Sequence, residues 1–72
     1  MTAAHKVVYR LDRGAFSGVV VIHTGPPWLG WYSYRWIAGD DHGGRMGCGP
    51  DEAIAELKAA CLAWFAGHDL VH

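Results

Sequence analysis

Gly49-Pro50-Asp51-Glu52-Ala53-Ile54-Ala55-Glu56-Leu57-Lys58-Ala59-Ala60-Cys61-Leu62-Ala63-Trp64-Phe65-Ala66-Gly67 is the stretch whose reading decides the fold. Pro50 suits the first helical position, where its missing N–H costs nothing, and Gly49 suits the cap before it. Asp51 and Glu52 fall in the first turn, where the helix dipole favours negative charge. Ala53 to Ala66 is built from helix formers, and Gly67 fits a C-terminal stop. Ile54, Leu57, Cys61, Trp64 and Phe65 form one stripe at helical spacing. The opposite side carries Glu52, Glu56, Ala59 and Ala63, an acidic face of small residues.

Everything upstream of this helix reads as strand and turn. Val7-Val8-Tyr9-Arg10-Leu11 is β-branched and aromatic. Asp12-Arg13-Gly14 supplies a turn. Ser17 to Thr24, centred on Val19-Val20-Val21-Ile22, lacks alternation and is expected to be a central strand buried on both faces. Gly25-Pro26-Pro27 ends it, since proline removes a ladder donor. Leu29 to Ala38 reads as a third strand. Gly39-Asp40-Asp41-His42-Gly43-Gly44 reads as a loop, followed by a short fourth strand at Arg45-Met46-Gly47-Cys48. The expectation is an α+β fold in one domain spanning residues 1–72. A three- or four-stranded antiparallel sheet packs in two layers on one C-terminal helix.

One helix covers one sheet face, so the other is solvated or meets a partner. Period-two geometry divides the third strand into Tyr32, Tyr34 and Trp36 on one side and Leu29, Trp31, Ser33, Arg35 and Ile37 on the other. Both rows are apolar, and the sequence does not say which lies outside. A chain of 72 residues buries only roughly 60% of its unfolded surface, so its core is marginal. A homodimer through the second face would supplement it.

Composition narrows the function. The chain is 51% hydrophobic and 18% charged, with a formal net charge of −1, which excludes most disordered classes. That balance also argues against a broad electrostatic grip on nucleic acid or anionic membrane. The N-terminal residues contain no apolar signal-like run, and a cytoplasmic location is expected. Cys48 and Cys61 are too few for a disulfide framework. Charge is divided along the chain. Lys6, Arg10, Arg13 and Arg35 outweigh Asp12 in residues 1–37, whereas Asp40, Asp41, Asp51, Glu52, Glu56 and Asp69 outweigh Arg45 and Lys58 afterwards. Asp40 and Asp41, with Asp51, Glu52 and Glu56, are expected to form one acidic patch suited to a site meant for phosphates.

The chemical motifs are sparse. There are five His residues, but no Cys-x-x-Cys; His68-x-x-x-His72 has helical ligand spacing but follows the expected helix stop at Gly67. No metal and no cofactor are expected. Ser17 and Ser33 lie in no nucleophile elbow. Cys48, near a helix start, has only His42 as a conceivable base, so no enzyme is expected. An alternative is nucleic-acid binding, with Tyr32, Tyr34 and Trp36 as a stacking platform beside Arg10 and Arg35. The missing positive charge counts against it.

Gly49-Pro50-Asp51-Glu52-Ala53-Ile54-Ala55-Glu56-Leu57 is similar to the segment where HicB-type antitoxins enter their helix. That resemblance covers about 20 residues and implies a partial double-stranded-RNA-binding-like architecture; the family normally adds a DNA-binding domain or tail, and none is expected from these 72 residues. The strand-rich half followed by a helix also resembles the small three-stranded DNA-binding domains of integrases. In size and surface the chain resembles small phage-encoded inhibitors, including anti-CRISPR proteins. This implies a non-enzymatic protein-binding module that blocks a functional or nucleic-acid-binding site on a larger protein or nucleoprotein complex. The expected contact residues are Asp40, Asp41, Glu52 and Glu56, offering negative charge, with Trp31, Tyr32, Tyr34, Arg35 and Trp36 as anchors.

Overall fold

Two tight hairpins set the sheet. Gly14-Ala15 joins β1 (His5–Arg13) to β2 (Phe16–His23), and Gly39-Asp40 joins β3 (Tyr32–Ala38) to β4 (Asp41–Cys48). In each, glycine holds the first central position at positive φ, +57° and +59°, as two-residue Gly-X hairpin loops require. Residues 24–31 connect β2 to β3. The computed structural model of the chain describes residues 4–68. Its sheet is an antiparallel meander in the order β1-β2-β3-β4, followed by α1 (Pro50–His68). The expected α+β architecture in two layers is what forms.

The helix start follows its sequence signals. Gly49 accepts the first helical bond from Ala53 N–H at 2.9 Å. Glu52, three residues on, accepts the Gly49 N–H at 3.3 Å, which is the returning half of a capping box. Gly67 does not end the helix, which runs on to His68. A glycine inside a helix costs only about 1 kcal/mol against alanine, so the helix tolerates it.

The centre of the buried stripe is Ala53, Leu57 and Cys61, flanked by Ile54, Ala60, Trp64 and Phe65. It covers Phe16 and Val20 of β2, Ala38 of β3 and Cys48 of β4. Leu57, Phe16 and Val20 are fully buried, each contributing roughly 1.5–3 kcal/mol. Tyr32, Tyr34 and Trp36 pack against this core from β3, and Tyr9 and Leu11 from β1. Trp36 stacks on Phe16 at 5.1 Å between ring centres.

Three sequence expectations are corrected here. β2 is not buried on both faces. Phe16, Gly18 and Val20 lie under the helix, while Ser17, Val19 and Val21 are only half-buried on the far side, because no element among the described residues covers that side. β4 begins at Asp41, so the glycine-rich stretch is strand rather than loop. Gly43 is needed there because the Trp36 indole covers it; a Cβ would stand 2.8 Å from Trp36 Nε1. β3 begins at Tyr32, leaving Leu29 and Trp31 in the connection. The radius of gyration is 13.2 Å, against about 11 Å for a compact chain of this length.

Candidate functional site

The uncovered face is built by register. Antiparallel partners point the same way, so His5 pairs with His23, Val7 with Val21 and Arg10 with Val19. Val19 in turn pairs with Arg35, Val21 with Ser33 and Ser17 with Ile37. Across β3–β4, Arg35 faces Gly44 and Ile37 faces His42. Val7 is 45% exposed, Ile37 62% and Met46 55%. The result is an apolar surface of Val7, Val19, Val21, Ile37 and Met46, with Arg35 in its middle and Arg10 and imidazoles around it. A groove of about 390 Å³ runs along it past His5, His23, Ser33 and Met46. Contiguous apolar surface rimmed by polar residues marks interaction sites.

Ser33 is the buried polar residue of this face, at 5% exposure. Its Oγ lies 2.7 Å from His23 Nε2, accepts the Gly47 N–H at 3.3 Å and donates to Met46 Sδ at 3.5 Å. The Ser–His spacing is that of a nucleophile and base. Among the described residues, however, no hydrogen bond orients the other nitrogen of His23, and the Gly47 N–H is directed at Oγ itself. The cluster therefore fixes the side chains of β2, β3 and β4 against one another. Sequence reading missed this pair because it depends on diagonal neighbours across two strands.

The helix side holds the acids differently from the expectation. Arg45 of β4 reaches Glu52 at 3.2 Å and also binds Glu56. The field of the two carboxylates pushes the Arg45 guanidinium pKa up. Glu56 also accepts the Tyr34 hydroxyl at 3.0 Å. Burial, then Glu56, raises the Tyr34 phenol, and burial raises the Cys48 thiol. At the other end of the helix, Trp64 Nε1–H donates to Asp41 at 2.8 Å. Twelve residues of helix separate Glu52 from Trp64, about 18 Å at 1.5 Å per residue. The expected single acidic patch is thus two groups at opposite ends of α1. Glu52, Glu56 and Asp41 already have partners within the chain, while Asp40 is exposed in the β3–β4 turn.

The aromatic row is also placed. Tyr32, Tyr34 and Trp36 lie under the helix, whereas Arg10 and Arg35 lie on the uncovered face, so the stacking platform is divided between two faces. Trp31 is exposed in the β2–β3 connection, next to Trp28, whose ring packs over Gly47. Sequence reading did not single out Trp28. Among the described residues, no group of three or more His, Cys, Asp or Glu is placed to hold a metal ion. No helix among them is long and apolar enough to cross a membrane. His72 and Asp69 lie outside the described residues.

No family model, curated protein or solved structure matches this chain.

Proposed function

We propose that this chain is a non-enzymatic protein-binding module, a small inhibitor or regulator that occludes a site on a larger protein or nucleoprotein complex. Its contact surface is the uncovered sheet face rather than the acidic turn and helix. The observation that carries this reading is the apolar floor of Val7, Val19, Val21, Ile37 and Met46 left open on a folded sheet. Exposing large apolar side chains in one patch forgoes stabilisation that a chain this small can ill spare. A partner recovers it. Glu52 and Glu56 serve the β4–helix junction, so they are not the charges offered outward. Arg35 and Trp31 remain as anchors from the expected set, and these are residue types that dominate interface energetics.

The test is paired capture. Tagged wild type and Val7→Asp/Ile37→Asp are incubated with nuclease-treated bacterial lysate. Both positions are exposed, so circular dichroism should show the variant folded. The expected result is a stoichiometric protein band held by the wild type and lost by the variant. Equal capture by both would refute the sheet face as contact surface, and capture seen only in a parallel untreated lysate would turn the assignment to nucleic acid.

A further inference from the structure

We infer that the occupant of the uncovered face is an acidic amphipathic helix of a partner protein, carrying two carboxylates about two turns apart on either side of an apolar stripe. The inference rests on the proposed use of that face and adds the partner's chemistry. Its centre is Val19, whose register partners are Arg10 on β1 and Arg35 on β3. Strands lie about 4.8 Å apart, so the two arginine positions stand about 10 Å apart with Val19 between them. Neither guanidinium makes an ion pair among the described residues; those formed belong to Arg45.

The open face carries Arg10 and Arg35, whereas Arg13 and Lys58 lie over Phe65 and Tyr9 on the helix side and Arg45 is held there by Glu52 and Glu56. Asp12 is the acid on the uncovered side, and its carboxylate accepts from Ser17 Oγ at 2.7 Å. Asp41, Glu52 and Glu56 are bonded on the helix side. The open face therefore offers two unpaired cations over an apolar floor and asks for the opposite charge. A helix fits the spacing of the two arginine positions. Residues i and i+7 lie on one helix face about 10.5 Å apart, which matches the arginine spacing, and i+3 and i+4 between them meet Val19 and Val21. Nucleic acid would find an apolar floor where phosphate contacts are needed.

The test is an unbiased selection. A displayed library of random amphipathic helical peptides is panned against the immobilised full chain. Enriched peptides are then synthesised and titrated against wild type, Arg10→Glu/Arg35→Glu and Ile37→Asp, each checked by circular dichroism. The inference expects Asp or Glu at positions seven apart with apolar residues between. It expects affinity to fall about tenfold or more in both variants, and to weaken with salt. Peptides lost with Ile37→Asp but indifferent to Arg10→Glu/Arg35→Glu would overturn the acidic helix while leaving the docking face standing. Peptides indifferent to both variants would overturn the two together. A dimer in sedimentation that Ile37→Asp dissociates would make a second copy the occupant and also overturn the inference.

Discussion

Gly18 lies beneath Leu57, so close that a Cβ on Gly18 would stand 2.5 Å from Leu57 Cδ1. The helix sits on the sheet at this point because β2 has no side chain there. Gly18→Ala should destabilise the fold by about 1–3 kcal/mol through overpacking, lowering the thermal midpoint by several degrees. In a Leu57→Ala background the same change should cost less, since the clash is gone. Strictly additive effects in that cycle would contradict the close approach.

Alkaline pH should weaken the fold. Tyr34 and Cys48 have folded pKa values raised above their ordinary 10.0 and 9.0, in both cases chiefly by burial. Each group therefore binds its proton more tightly folded than unfolded. The stabilisation is fully present below the ordinary values and is lost as pH rises through the raised ones. Thermal midpoints between pH 7 and 11 should fall in the upper half of that range, and Tyr34→Phe should flatten part of the fall. An unchanged slope in Tyr34→Phe would remove Tyr34 from the account.

Both cysteines should be inert in the folded protein. Cys48 and Cys61 are free and buried, and the thiolate is the reactive form. Ellman's reagent should find no rapidly reacting thiol in buffer and two in guanidinium. A fast-reacting native thiol would show that Cys48 is accessible at the helix start.

Charge reversal separates the two candidate surfaces. Asp40→Lys, in the exposed turn, should leave partner capture unchanged. Asp41→Lys should chiefly lower stability, because Asp41 holds the Trp64 indole. Ile37→Asp should abolish capture with the fold intact. Loss of capture in Asp40→Lys alone would restore the acidic turn as the contact surface.

The helix start was legible because Pro50, Asp51 and Glu52 act within one turn, and the three longer apolar strands were legible from residue type. The second half of β4 was legible at Arg45-Met46-Gly47-Cys48, but its start was not, because Asp41 to Gly44 reads as loop until Trp36 is known to lie across Gly43. The uncovered row was not, because both rows of β3 are apolar and only the landing of Leu57 on β2 decides between them. Glu52 and Glu56 looked free for a partner because Arg45, which binds both, is distant enough along the chain to give no local signal. Local chemistry was readable; the assignment of polar groups to inside or outside depended on register.

The most direct measurement of the central claim is site-specific photocrosslinking. A benzoylphenylalanine is placed at Ile37 in one sample and at Asp40 in another, both exposed positions, and each is irradiated in nuclease-treated lysate. A discrete protein adduct from position 37 and none from position 40 is the predicted result. An adduct from position 40 with none from position 37 would contradict the uncovered sheet face as the surface through which this protein acts.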